Sequence, residues 1–365
     1  MKHLIEKRLR LHLFTINLIS DFLIEGIELI ANKIIEAYQN GKKVIIMGNG
    51  GSAADAQHIA AELVGKFSKE RKALPAISLS VNSSVITAVA NDYGYNKIFL
   101  RQIEAIANKG DIVIAISTSG DSINVIEGVK KAKELSALTI ALTGKNGGKI
   151  RNYADISIMV PSHFTPHIQE AHITIGHIIC DLIEEKLFPS KRKAIFLDRD
   201  DTINEDKGYV YKIDDLKLLP NVVRALKLLQ KNGFLLIIVS NQAGVERGYF
   251  KKENVEKFNR HLYNTLAQKG VYIDDFYYCT ELESPRRKPN PGMILEAIKD
   301  WNINPEESYL VGDKITDIEA GKRAKCKTVL ISRQETDIVC DYKTSDLLDA
   351  AKWIIDSERQ KKTKK

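Results

Sequence analysis

The sequence predicts two consecutive three-layer α/β/α domains, each with a mainly parallel sheet. Three observations carry this. Short β-branched runs alternate with helical stretches along the whole chain. The alternation pauses at Phe188-Pro189-Ser190-Lys191 and then restarts. The chain has 365 residues, 44% of them hydrophobic, enough for each half to bury its own core. The expected boundaries are 1–189 for the first domain, 190–358 for the second and 359–365 for a basic tail.

Residues 1–40 read as helical, with Leu9, Leu13, Ile16, Leu23, Ile27 and Ile30 at helical spacing. Candidate strands follow at 44–47, 76–79, 112–116, 138–142 and 156–160, and a helix over about 168–187 closes the half. In the second half the candidate strands are 194–197, 234–239, 276–279, 309–311 and 328–331, with helices between them.

Composition narrows the function. The formal charge is +7. Five positive residues lie in Arg359-Gln-Lys-Lys-Thr-Lys-Lys365 and three in Lys191-Arg192-Lys193, so the remainder is close to neutral. A charged chain end is a weak signal for nucleic acid, and none is expected as a partner. No run of about 18 apolar residues occurs, so no membrane span is expected. The charged, interrupted N-terminus does not read as a signal peptide. Cys180, Cys279, Cys326 and Cys340 are scattered, which fits reduced thiols in a cytoplasmic protein.

In the first half, Gly48-Asn49-Gly50-Gly51-Ser52-Ala53 follows the first strand and opens a helix. Such a loop turns tightly and offers free N–H groups to an anion. It matches GxGxxA, but the second strand ends Leu79-Ser80-Val81-Asn82, without the acid a dinucleotide fold wants. A second loop, Ser117-Thr118-Ser119-Gly120-Asp121-Ser122, brings four hydroxyls to another strand end. Two such loops in one sheet favour a phosphorylated ligand. His58 and Glu62 are four apart on the helix after the glycine loop and share a face. Gln169 and His177 lie in the last helical segment, among His163, His167 and His172.

Residues 1–187 resemble the sedoheptulose 7-phosphate isomerase (phosphoheptose isomerase) family of the sugar-isomerase fold. The resemblance rests on GNGGSAADAQHIAAELVGKF, AVANDYGYN, ISTSGDSINVI, LTGKNGGK and IQEAHITIGHIICDLIE. It implies a Zn²⁺ ion on His58, Glu62, Gln169 and His177, and leaves the other three histidines without a ligand role. It makes Glu62 the base that moves the proton between C1 and C2, with His177 as acid/base partner. It assigns the sugar phosphate to Asn49, Gly50, Gly51, Ser52, Asn91, Asp92, Ser117, Thr118, Ser119 and Ser122. Ketose–aldose conversion needs a base, an acid and a polarised carbonyl, and zinc supplies the last. Gln169 and His177 are about 12 Å apart along a straight helix. Either Gln169 precedes the helix or the ligands come from different subunits. The second option is favoured, since the resemblance implies a homotetramer with sites at subunit interfaces.

The second half opens with Asp198-Arg199-Asp200-Asp201-Thr202 directly after an apolar strand. Ser240-Asn241-Gln242, Arg287-Lys288-Pro289 and Gly312-Asp313-Lys314-Ile-Thr-Asp317 follow in order. This order of motifs resembles that of phosphatases of the haloacid dehalogenase type. Asp198 would attack phosphorus, and Asp200 would protonate the leaving oxygen and then take a proton from water. Ser240 and Lys288 would hold the phosphoryl oxygens. Asp313 would complete an Mg²⁺ site with the Asp198 side chain and the Asp200 backbone oxygen.

Residues 190–358 resemble the D-glycero-D-manno-heptose 1,7-bisphosphate 7-phosphatases, through IFLDRDDTINEDKGYV, VSNQAGVERGYF, FYYC, RKPNPGM and VGDKITDIEAG. This implies that Asp206, Lys207, Gly208, Tyr209, Asn241, Gln242 and Arg287 contact the sugar or its second phosphate. Two departures stand out. Only Cys279 remains of the zinc loop many relatives carry, so no zinc is expected here. Asp201 replaces the usual glycine, adding negative charge beside the nucleophile. Together the halves imply the first and third steps of heptose biosynthesis, with a separate heptose 7-phosphate kinase between them. The alternatives are another phosphomonoester for the second half, such as histidinol phosphate, or a sugar-phosphate sensor.

Overall fold

In the computed structural model the chain divides into two compact units, Met1–Pro189 and a second beginning at Ser190. The structure describes residues 1–363.

The first unit runs α1 (Lys2–Phe22), α2 (Ile24–Gln39), β1 (Val44–Gly48), α3 (Gly51–Val64), β2 (Ala76–Ser78), α4 (Ser83–Tyr93), α5 (Ile98–Ile106), β3 (Ile112–Ser117), α6 (Ile123–Glu134), β4 (Leu138–Gly144), β5 (Ile156–Val160) and α7 (Thr165–Leu187). The strands form one parallel sheet in the order β2-β1-β3-β4-β5. Alternate residues of each strand feed two cores. Val44, Ile46, Ile112, Ile114 and Ile116 pack with α2, α3 and α7 on one face. Ile45, Met47, Val113 and Ala115 pack with α5 and α6 on the other. The sheet is therefore the middle of three layers.

The second unit runs β6 (Ala194–Leu197), α8 (Val222–Lys231), β7 (Leu235–Asn241), α9 (Lys252–Ala267), β8 (Asp275–Cys279), α10 (Gly292–Asp300), β9 (Tyr309–Gly312), α11 (Ile315–Arg323), β10 (Lys327–Ile331), β11 (Tyr342–Thr344) and α12 (Leu347–Thr363). All six strands are parallel, in the order β11-β10-β9-β6-β7-β8. Ile195, Leu197, Leu236 and Ile238 face α8 and α12, while Phe196, Ile237 and Val239 face α10 and α11.

Four differences from the sequence reading have physical causes. The segment 1–40 is two helices, broken at Leu23. The three-residue edge strand β11 gave no periodic signal. Helix α7 starts at Thr165, a few residues earlier than read, and carries Gln169 inside it. Helix α12 runs through Thr363, into the segment read as a basic tail, and Lys364 and Lys365 lie outside the described residues. All four cysteines are free thiols; Cys180, Cys279 and Cys326 are buried, and Cys340 is partly exposed. Burial pushes the thiols of Cys180 and Cys326 up to about 12 and also raises Cys279.

Candidate active sites

In the first unit both loops named from the sequence sit at carboxyl ends of neighbouring strands. Gly50 turns with φ +56, and α3 starts at the next residue. A Cβ at Gly51 would lie 2.4 Å from Gln169 Nε2, so the Gln169 amide sits directly over the glycine loop. Asn49 exchanges a reciprocal pair of 2.9 Å side-chain hydrogen bonds with buried Asn124 and accepts one from Tyr95. In the second loop Ser117 and Ser122 hydroxyls lie 3.3 Å apart, and Ser117 Oγ accepts from Gly120 N. Ser119 Oγ accepts from Asp121 N, and Thr118 is half-buried beside it. Asn91 donates to Asp92 on α4, a helix with no buried residue.

His58, Glu62 and His177 converge from α3 and α7, with ligand atoms within 4.8 Å of one another. His58 Nε2 lies 3.1 Å from Glu62 Oε1 and 3.2 Å from His177 Nε2. One ring nitrogen facing both a carboxylate and a second imidazole nitrogen cannot satisfy both with one proton. Two nitrogens and one oxygen with an open side make a donor set suited to zinc. Gln169 lies about two turns before His177 along α7. One turn before His58, Asp55 has an unpartnered buried Oδ2, and burial pushes its carboxyl up to about 6 against the pull of His58. His172 is buried against Thr143 O, and burial lowers it to about 4 although that hydrogen bond opposes the shift.

In the second unit Lys288 Nζ lies 2.5 Å from Asp198 Oδ1, 2.6 Å from Asp317 Oδ1 and 2.7 Å from Val239 O. All three side chains are buried. Burial and the neighbouring acids raise Asp198, to about 7, although Lys288 pulls it down. Asp200 is gripped by Arg199 in a two-point pair (3.0 and 2.9 Å), by Asn204 and by Gln242. Burial alone would raise it, but Arg199 and these hydrogen bonds hold it below the usual range. Arg199 is itself buried over the Phe258 ring. Ser240 Oγ accepts from Gln242 Nε2.

Asp198, Asp313 and Asp317 offer three carboxylate oxygens within 4.8 Å of one another. Asp317 is already spent, on Lys288 and on the Lys314 N–H, and Gly312 makes room for it because a Cβ there would lie 2.4 Å from its carboxyl. Asp313 Oδ1 is buried without a partner, and burial raises its carboxyl. An orphaned acidic oxygen beside Asp198 is what a hard cation satisfies, so these residues fit Mg²⁺.

A cleft of about 480 Å³ opens over Asp198 and Asp317, lined among others by Asp206, Tyr209, Gln242, Arg247, Arg287 and Lys314. Gly208 and Asn241 also line it, but exposed Lys207 does not. Asn241 spends both ends of its amide on the backbone of Lys288, so its side chain acts on that lysine first. Asp201 sits at φ +59, which explains why glycine suits this position. Its exposed carboxylate accepts from Asp206 N, and its charge still adds to the upward push on Asp313.

A family profile for the SIS domain matches residues 16–144, and one for haloacid dehalogenase-like hydrolases matches 149–325. The phosphoheptose isomerase of Clostridium acetobutylicum is 56% identical over 168 residues, 46% of this chain and 86% of that protein. The chain belongs to the phosphoheptose isomerase family. That membership lies in its first unit; the hydrolase match covers most of the second and begins inside the first. Among solved structures, phosphoheptose isomerase from Neisseria gonorrhoeae aligns with 50% of this chain and 98% of its own, at 38% identity and TM-score 0.48. D,D-heptose 1,7-bisphosphate phosphatase from B. bronchiseptica, complexed with magnesium and phosphate, covers 45% of this chain and 99% of its own, at 24% identity and TM-score 0.43. Four residues of this isomerase–hydrolase chain were given no role from sequence. Asn124 and Asp317 act through partners distant in the sequence, and Arg199 and Arg247 look like ordinary surface cations until the fold brings them to the site.

Proposed function

We propose that this chain carries out two steps of heptose biosynthesis. The first unit isomerises sedoheptulose 7-phosphate to D-glycero-D-manno-heptose 7-phosphate. The observation that supports it is the convergence of His58, Glu62 and His177 in a member of the phosphoheptose isomerase family. His58, Glu62 and His177 would hold Zn²⁺, joined by Gln169 of a neighbouring subunit. Bound there, zinc would polarise the sugar carbonyl. Glu62 takes the proton from C1 and returns it to C2, and His177 exchanges the proton between the two oxygens. The strand-end loops hold the phosphate with Gly50, Gly51 and Ser52 on one side and Ser117, Thr118, Ser119 and Ser122 on the other. A homotetramer fits the surface: α1 exposes Leu4, Ile5, Leu9, Leu13 and Phe14, and α4 carries Asn91 and Asp92 without burying any residue.

The second unit hydrolyses the 7-phosphate of D-glycero-D-manno-heptose 1,7-bisphosphate. Asp198 attacks phosphorus in line, and Asp200 protonates the departing sugar oxygen. Asp200 then removes a proton from the water that cleaves the aspartyl phosphate. Ser240 and Lys288 hold the phosphoryl oxygens. Asp198 and Asp313, with the Asp200 backbone oxygen, would hold Mg²⁺, which offsets the charge of the phosphate. Arg287, with a buried unpartnered Nη1, and Arg247 line the same cleft and favour a second anionic group over the amine of histidinol phosphate. Between the two steps a separate kinase must phosphorylate C1. Mg²⁺-dependent phosphate release from both anomers of the bisphosphate, with Asp198→Asn as control, tests the second step. Release that persists in that variant, or none from either anomer, would sink this assignment.

A further inference from the structure

Arg71 and Glu184 form a buried ion pair, both side chains 1% exposed, that takes no part in the chemistry above. Glu184 lies on α7 seven residues after His177, nearly two full turns and so close to the same face. Its carboxylate collects five donors. Oε1 accepts from Phe67 N and Arg71 Nε, and Oε2 accepts from Ser68 N, Ser68 Oγ and Lys69 N. The other end of the pair reaches α3. Arg71 Nη2 donates to Glu62 O at 2.8 Å, and Nη1 donates to Leu63 O at 2.9 Å and to Gly65 O at 3.3 Å.

These carbonyls are the orphan acceptors at the end of α3, where a cation is also favoured by the helix dipole. One guanidinium therefore caps the helix that carries His58 and Glu62 and ties it to the helix that carries His177. One of the capped carbonyls belongs to Glu62 itself. The loop held by Glu184 also sets Phe67 against the His177 ring, with centroids 5.6 Å apart.

We propose that the Arg71–Glu184 pair is a positioning device that fixes His58 and Glu62 on α3 against His177 on α7. The inference rests on the reading of that cluster as a metal-holding acid/base site. The pair touches neither substrate nor metal and acts by setting the separation and rotation of two helices. A positioning pair of this kind is worth about 10- to 100-fold in metal affinity.

The test uses the full chain and zinc alone as probe. Zinc affinity is measured by competition with a chromophoric chelator, and the visible spectrum is recorded after cobalt substitution. Wild type is compared with Glu184→Gln, Arg71→Lys and His58→Ala, with circular dichroism to verify folding. The expected result is zinc binding about 10- to 100-fold weaker in Glu184→Gln with a changed cobalt spectrum, and a fall in isomerisation kcat with little change in KM. A folded Glu184→Gln with wild-type zinc affinity and cobalt spectrum overturns the proposal. Should that variant not fold, Arg71→Lys decides by the same readings, since it keeps the charge but loses the fork that spans the carbonyls. Zinc binding that survives His58→Ala unchanged would instead bring down the metal reading of the cluster.

Discussion

In the second unit Asp198, Lys288 and Asp317 are buried and already paired. Lys288 lies 2.5 Å from Asp198 and 2.6 Å from Asp317, and Arg199 grips Asp200. In the first unit His58 is exposed, and Glu62 and His177 are half-buried on two helices. The buried cluster holds its own geometry, because an unpaired charge there is costly. The exposed cluster has no such internal constraint. Its geometry comes from elements behind it, such as the glycine loop and the ion pair joining α3 to α7.

That contrast can be broken or sharpened. Asp198→Asn should lower phosphate release by at least about 10³-fold while isomerisation by the same preparation stays at the wild-type rate; parallel loss of both would mean the units are not chemically separate. Glu62→Gln should lower isomerisation by about 10²- to 10⁴-fold and leave phosphate release untouched. Lys288→Met strands two buried carboxylates, and denaturant unfolding followed in the second unit should show a loss of about 3–5 kcal/mol. An unchanged midpoint would contradict the self-compensated cluster.

The pH response should come from the support behind the exposed site. Burial alone would raise Glu184, but hydrogen bonds from Phe67, Ser68 and Lys69 N–H groups and from Arg71 outweigh it and hold the carboxyl at about 2, below its ordinary 4.5. A lowered folded-state value gives stability that is present above about 4.5 and is lost as pH falls towards 2. Melting curves of the first unit should decline across that window, and Glu184→Gln should flatten the decline. The smallest effect is expected at Asp201, where glycine relieves the left-handed backbone but loses the bond to Asp206 N. Asp201→Gly should change stability by less than about 1 kcal/mol.

Much of the fold was legible because strands buried on both faces are written as β-branched runs, such as Val44 to Met47 and Ile112 to Ile116. Strand β11 was not, being three residues at a sheet edge. The residues proposed to carry chemistry in the second unit stand in short motifs, at strand ends for Asp198, Ser240 and Asp313 and in the loop before α10 for Lys288, so they could be named before their positions were known. Their supports could not. Asp317 reads as one more acid on a helix, yet it shares Lys288 with Asp198 across the cleft floor. Asn241 reads as a ligand contact, yet it grips the Lys288 backbone. Gln169 and His177 could be paired by resemblance and placed two turns apart by helical spacing, and α7 over Thr165–Leu187 carries both on one rod. Spacing in sequence specifies local partners. It carries no record of partners separated by a hundred residues.

The four free cysteines differ sharply in reach. Three are buried, and burial raises the thiols of Cys180, Cys279 and Cys326 away from the reactive thiolate form. Cys340 is the one with partial access to solvent. A maleimide dye under brief, mild labelling should therefore settle on a single position, giving a fluorescent reporter in the second unit without the need to remove any native cysteine.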